Sequence, residues 1–419
     1  MNPPDLSRRD FLRLGAAGAA VSSLIAPTAR AAGAIPDAGK IPLLRPYITP
    51  DDQFIDVSRG NPMPHALPLA ALAEAGLTAD TWRLQITADP FVEYPHTKIP
   101  ATLSAPRTLA DGTAFDLPAL IELGRRHEVH FFKAMQCLNI EAPLGQGVWT
   151  GVPLRAVLRQ CGKMQNVRRV YYWGFHYHDP KQIYKASLSY TQAMETAPGA
   201  LPAFLAYKLN GRPISPERGG PVRLVVPWSH GYKSLKWLQH IFVTSDARNW
   251  DTYAEANNDP DSFLKTAAYV DKGPEKVPAG EPVYLTGQVV SGLSGVRHVE
   301  YWVRHVESET GRLADDDPEL LRGPWTPCEL QPQPDWARIM PAGLKPKQLL
   351  GFDRTTGRPL NWPLPYSITQ YFAVIRGLKP GRYEIRARAV DLNDIAQPEP
   401  RPTQKTGRNG IQVRRLEIV

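Results

Sequence analysis

Cysteine is scarce in this 419-residue chain: Cys137, Cys161 and Cys328 are the whole supply. An odd number completes no disulfide framework. No Cys-x-x-Cys-His run occurs, which excludes covalently attached c-type haem, and three thiolates are too few for an iron–sulfur cluster. A cofactor that needs a single thiolate is still allowed. Long apolar runs are equally scarce: beyond residue 31 no stretch of 18 apolar residues appears, so no membrane-spanning helix is expected there. Basic runs interleaved with aromatics are missing too, and nucleic acid is not an expected partner.

Proline, by contrast, is abundant. Its 42 residues are about twice the usual share. Because proline removes a backbone donor, this favours short strands and ordered loops over helical bundles. Apolar residues make up 42%, enough for packed cores, and the length suggests two domains. The net charge is +8; residues 1–31 hold four arginines and two aspartates, so setting them aside leaves +6. That mild positive field suits anionic substrates or an acidic partner.

Residues 1–31 read as an address. Ser7-Arg8-Arg9-Asp10-Phe11-Leu12 precedes an alanine-rich apolar run over 14–26, and Ala29-Arg30-Ala31 offers small residues for a signal peptidase. The paired arginines point to twin-arginine export, a route for proteins that fold, often around a cofactor, before crossing into the periplasm.

The stretch most suited to holding a ligand is Gly219-Gly220-Pro221-Val222-Arg223-Leu224-Val225-Val226-Pro227-Trp228-Ser229-His230-Gly231-Tyr232-Lys233-Ser234-Leu235-Lys236-Trp237. A breaker leads into a β-branched run that predicts a buried strand ending before Pro227. Gly231, Lys233, Ser234 and Lys236 then suit either an anion site or a solvated basic turn. Upstream, Met135-Gln136-Cys137 follows His130-Phe131-Phe132 and places Cys137 where a strand enters a loop. By itself Cys137 fits a buried small hydrophobe, a thiolate ligand or half of a Cys137–Cys161 disulfide. Cys161 and Cys328 read as structural.

Further local readings follow from pattern. Residues 117–126 have helical spacing, with Asp116 as N-cap and Pro118 in the first turn. Strands are expected over 82–86, 167–172 and 205–209, and a helix begins at Leu154. Residues 245–278 read as a polar linker or loop. Beyond them, 283–289, 296–303, 383–390 and 411–418 have strand-like patterning separated by turns, as in an all-β sandwich. No catalytic cluster is evident in that part, which suits a scaffolding or dimerising role.

Together with Val148-Trp149-Thr150-Gly151-Val152-Pro153-Leu154 and Gly381-Arg382-Tyr383-Glu384-Ile385-Arg386-Ala387-Arg388-Ala389-Val390-Asp391, the clamp-like stretch and Met135-Gln136-Cys137 resemble the sulfite oxidase family of molybdopterin-dependent oxidoreductases. The resemblance covers roughly residues 50–419. It implies an α+β molybdopterin-binding domain over 45–270, then an immunoglobulin-like dimerisation domain over 275–419, and with it a possible homodimer. The implied cofactor is molybdenum–molybdopterin, its metal held by the pterin dithiolene and by the Cys137 thiolate. Arg223, Ser234 and Lys236 match positions that hold the pterin and its phosphate, with Lys233 as helper. Arg218 and His176 match further cofactor contacts. Arg59 and Asn61 match an Arg-Asn pair beside cofactor and substrate, with Arg59 orienting an anion, and Tyr253 is the candidate for the family's substrate-site tyrosine.

The chain departs from the family after the ligand cysteine. Sulfite-oxidising members continue with Ala-Gly-Asn and an arginine; here Leu138-Asn139-Ile140-Glu141-Ala142 follows. Glu141 near a metal would weaken binding of a dianion. The expected activity is oxygen-atom transfer of the sulfite dehydrogenase type on a small anionic or oxo substrate, with electrons passed to an external cytochrome c, since no haem domain is present. Reduction of S- or N-oxides on the same cofactor, or a catalytically silent binding protein, are the alternatives.

Overall fold

A computed structural model describes residues 45–58, 60, 62–89, 99–175, 184–254, 259–307, 313, 317–398 and 409–419. Two sheets carry the first half. In one, Val129–Met135, Gly145–Pro153, Phe204–Leu209 and Arg223–Val225 are antiparallel neighbours, with Arg212–Pro213 added beside Phe204–Leu209. The second runs Gln85–Ala88, Leu238–Thr244, Arg169–Gly174, Lys185–Ser189, and only its first pair is parallel. Val129–Met135 and Gly145–Pro153 are buried almost throughout, although they carry the polar residues His130, Lys133, Gln146 and Thr150. Their pairing, from Val129 opposite Gly151 to Met135 opposite Gly145, leaves 136–144 as the hairpin loop that carries Cys137.

The helix Leu117–His127 starts where Asp116 predicts, its carboxylate accepting from the Ala119 amide at 2.8 Å. With Leu154–Leu158 it packs on a core that includes Trp82, Ile86, Leu120, Val157, Val170, Leu224 and Ile241. Residues 219–237 link the two sheets. After Arg223–Val225 the chain turns through a 3-10 turn at Gly231–Lys233 and doubles back. The Leu224 amide bonds Leu235 O, the Trp237 amide Gly219 O and the Leu238 amide Val222 O, each at 3.0 Å, before Leu238–Thr244 enters the other sheet.

The second half is all-β in its sheets. Ala267–Val270, Val283–Val290, Ile368–Ile375 and Glu329–Leu330 form one; Lys276–Val277, Val413–Ile418, Gly381–Val390, His298–His305 and Thr326–Pro327 form the other. Leu285, Val289, Tyr371, Ile385, Ala387 and Leu416 meet in the core they share. Ile368–Ile375 is a strand that residue patterning did not reveal, because it is buried on both faces. Residues 336–364 return to the first half, where Trp336, Phe352 and Leu364 pack on Tyr47 and Phe132. The buried Gln146 amide stitches the halves, donating to Tyr47 O and Ile368 O at 2.7 and 2.9 Å and accepting from the Ile368 amide at 2.6 Å.

Two expectations need correction. The stretch read as a linker over 245–278 is partly core: Asp251 is fully buried, and Ala267–Val270 is a strand. Cys137 and Cys161 are both free, so the disulfide reading fails; Cys161 lies in the main core, whereas Cys137 edges a different apolar cluster. No helix among the described residues is long and apolar enough to cross a membrane.

Candidate cofactor site

Where the 136–144 loop meets 219–237 lies a cleft of about 910 Å³, its open mouth included. Cys137, Arg218, Arg223, Ser234, Lys236 and Tyr253, which are distant in sequence, all line it. The Cys137 loop is held from both sides: the Gly231 amide donates to Gln136 O at 2.7 Å, and Gln136 Nε2 donates to Ile140 O at 2.7 Å. Gly231 suits this approach: a Cβ there would sit 3.2 Å from Gln136 O, and the loop would have to give by a few tenths of an ångström. Cys137 is partly buried and opens onto the cleft.

Cations gather along one end. Arg223 is 5% exposed, lies over the Trp149 ring at 5.1 Å, and donates to Arg218 O at 2.7 Å and to Ser234 O. Burial first, and then Arg218, pushes its pKa down to about 9. Its Nε is buried and meets no hydrogen-bond partner among the described residues. Arg218 lies over the Phe54 ring at 5.1 Å. Lys236 Nζ bonds Asp56 Oδ1 at 2.8 Å and Ser58 Oγ at 2.6 Å. Burial and the neighbouring Arg223 bring its pKa to about 8, against the opposing pull of Asp56. Burial would raise Asp56, but Lys236 and Ser58 outweigh it and hold its pKa near 2. Gly219, at φ +94°, lets the Lys236 stem pass: a Cβ there would meet Lys236 Cβ at 2.6 Å.

Arg223 and Lys236, both held below their ordinary pKa by burial and by a neighbouring arginine, with one buried N–H unpaired among the described residues, form a site suited to a phosphate dianion. A soft thiolate at the other side of the same cleft suits a metal that changes oxidation state. The residues therefore fit a phosphate-bearing pterin that carries molybdenum. Among the described residues no cluster of three or more His, Cys, Asp or Glu could hold a metal unaided.

Other positions fall differently. Ser234 lines the cleft, but its hydroxyl accepts from the Val226 amide at 3.0 Å and so also sets the turn. Lys233 is corrected: its ammonium is buried against Asp251 Oδ2 at 2.5 Å and Ser187 O at 2.7 Å and does not line the cleft. Glu141 is exposed and also absent from the lining. Arg59, Asn61 and His176 lie outside the described residues. Sequence reasoning missed Asp56, Ser58, Tyr184, Tyr232 and the buried Lys133. Burial, with Arg223 nearby, pushes Lys133 down to about 7; its Nζ donates to Ser229 O at 3.1 Å. Only Tyr232 carried a signal, its place inside the 219–237 motif.

Two outcomes follow from the clamp. Arg223→Gln is expected to lower molybdenum and pterin content of the purified protein about 10-fold or more, the scale of one charge-assisted hydrogen bond or two; metal and pterin assays check it. Because the Lys236 pKa is lowered on folding, its ammonium costs stability below about pH 8, and that cost fades as pH rises towards the ordinary lysine value. Affinity of the cofactor-free protein for inorganic phosphate should correspondingly weaken as pH rises through about 8, measured by calorimetry.

Comparison with known proteins points to the same cofactor. Residues 74–251 match the family described as oxidoreductase molybdopterin binding domain. An inducible NADH nitrate reductase of Glycine max is 31% identical over 158 residues, which is 36% of this chain and 16% of the reductase. An NADPH nitrate reductase of Beauveria bassiana is 34% identical over 110 residues, covering 26% of this chain and 12% of that protein. The chain thus spans under a fifth of the length of these curated relatives. The sulfane dehydrogenase SoxCD from Paracoccus pantotrophus shares the fold, with a TM-score of 0.55 at 17% identity over 94% of this chain and 96% of that one. The clamp, the cleft thiol and these matches lead to one conclusion: residues 74–251 form an oxidoreductase molybdopterin-binding domain, the chain is a molybdenum oxidoreductase similar to the sulfite oxidase type, and its cofactor is molybdenum–molybdopterin.

Proposed function

We propose that this protein is a periplasmic oxidoreductase of the sulfite dehydrogenase type, which transfers an oxygen atom at a sulfur centre and exchanges electrons with an external cytochrome c. The observation that carries it is the convergence of Cys137 with Arg218, Arg223 and Lys236 on one cleft. Bound there, the cofactor supplies two-electron redox chemistry coupled to oxygen-atom transfer. Cys137 would hold the metal, while Arg223 and Lys236 hold the phosphate. Arg218 and Phe54 wall the pterin side, and Arg59 would orient substrate. Arg8 and Arg9 support twin-arginine export, hence the periplasm. The three cysteines among these 419 residues provide no iron–sulfur relay and no covalent haem attachment motif occurs among them, which supports an external electron carrier. The two sheets of the C-terminal half, over a shared core, support an immunoglobulin-like dimerisation domain over 275–419.

The test is turnover by molybdenum-loaded protein with a panel of reduced sulfur compounds and either ferricyanide or cytochrome c as acceptor. Electron transfer that tracks molybdenum content supports the proposal. A folded, loaded protein that turns over no sulfur compound in either direction contradicts it.

A further inference from the structure

Behind the cofactor cleft lies a cation that neither the core nor the clamp accounts for. Lys133 is completely buried, and its ammonium donates to one partner among the described residues, Ser229 O at 3.1 Å. No carboxylate pairs with it there. Lys233, nearly as buried, has Asp251 Oδ2 at 2.5 Å to match its charge. The charge that Lys133 does feel is that of Arg223, which is also positive.

The pleat of the sheet sets its place. Lys133 and Met135 are two residues apart on the strand Val129–Met135 and so project to the same face, and Met135 lines the cleft. Trp149, on the paired strand, lines the cleft too; its indole N–H donates to Lys133 O at 3.1 Å, and its ring carries the Arg223 guanidinium at 5.1 Å. Ser229 comes two residues before Gly231, whose amide holds Gln136 O beside Cys137. Lys133 thus stands behind the cleft wall and is tied to the turn that grips the Cys137 loop.

A buried ammonium without a counter-ion is costly, and a second cation nearby adds repulsion. Burial and Arg223 bring the Lys133 pKa to about 7, so below that pH the empty protein carries the charge unmatched. The cleft lining adds Arg218, Arg223 and Lys236 and contains no carboxylate; Asp56 reaches Lys236 from the side. An anion seated there meets a field to which a fourth, hidden cation contributes, and burial keeps that contribution from being screened as a surface charge is.

Resting on the assignment of the cofactor, we propose that Lys133 is a positioning residue for it: its unmatched charge burdens the empty protein and strengthens the hold on the cofactor's phosphate, while its bond to Ser229 O fixes the turn that bears Gly231. An ordinary structural lysine would do the reverse, stabilising the empty fold and leaving anion affinity alone.

The test uses the full chain at pH 6, where the ammonium is protonated. Lys133→Met removes the charge and the hydrogen bond; Lys133→Gln removes the charge and keeps a donor. Denaturant unfolding measures the stability of the cofactor-free proteins, calorimetry their affinity for inorganic phosphate, and metal analysis the molybdenum content as purified. Cofactor-free Lys133→Met is expected to unfold at higher denaturant than the wild type. Both variants should bind phosphate about 10-fold more weakly and retain less molybdenum. A methionine variant that is less stable than the wild type, or that does not fold, would overturn the proposal by making Lys133 an ordinary core lysine. Phosphate affinity within about twofold of the wild type in either variant would overturn it as well, since the buried charge would then not act on the anion. A wild-type protein that takes up neither phosphate nor molybdenum overturns the cofactor assignment instead, and the stability comparison still judges the buried charge.

Discussion

Replacing Cys137 by serine is expected to reduce turnover at least about 100-fold and leave the fold intact. Changes in groups that merely orient a metal ligand typically cost 10–100-fold, so loss of the protein's own ligand sets a floor near the top of that range. The fold should survive because the loop does not depend on the thiol. It is fixed by the Gly231 amide on Gln136 O and by Gln136 Nε2 on Cys137 O and Ile140 O. Cys137 itself sits at the margin of the cluster of Phe131, Met135, Leu144 and Trp149. Thermal unfolding of the cofactor-free variant should therefore match the cofactor-free wild type, while steady-state assays show the loss. A serine variant with more than a tenth of wild-type turnover would remove Cys137 from the metal.

The second large effect concerns stability. Lys233→Met leaves Asp251 buried, with its side chain fully covered and, among the described residues, Ser187 Oγ at 2.5 Å still donating to the carboxylate. Breaking a buried pair by removing one partner costs about 3–5 kcal/mol, because the remaining charge is stranded away from water. Burial already pushes the Lys233 pKa down despite Asp251, which shows how little the surroundings favour an isolated charge. Denaturant unfolding of the cofactor-free protein should show that loss. The double variant Lys233→Met/Asp251→Leu should recover part of it, since an apolar pair strands no charge. A lysine that served chiefly the cofactor would instead leave cofactor-free stability unchanged.

These two lysines, three residues apart, show how far a sequence can be read. Spacing placed Lys233 and Lys236 on the same basic turn, yet the 3-10 turn Gly231–Lys233 sends the first inward to Asp251 and the second to the cleft. Rotation about one turn decides between ion pair and anion clamp, and residue type does not record it. Nor did polarity at 245–278 disclose that Asp251 is the buried counter-ion, because a buried pair looks hydrophilic in one dimension. The clearest local signals had nearby physical causes: Asp116 capping its helix, and Gly219-Gly220-Pro221 and Pro227 bracketing the Arg223–Val225 strand. Strands buried on both faces, such as Ile368–Ile375, lack the alternation that reveals a half-exposed one. At the site, the Cys137 side and the cationic end were legible because each rests on rare residue types in a compact motif. The grouping of tyrosines in the cleft was not, since Tyr184, Tyr232 and Tyr253 come together only through folding.

The central claim is that Cys137 and the cationic clamp hold one molybdenum–molybdopterin. X-ray absorption at the molybdenum edge of the purified full chain tests it most directly. Three sulfur neighbours are predicted, two from the pterin dithiolene and one from Cys137, falling to two in Cys137→Ser. A folded protein without molybdenum, or a sulfur count that does not change in the variant, would contradict it.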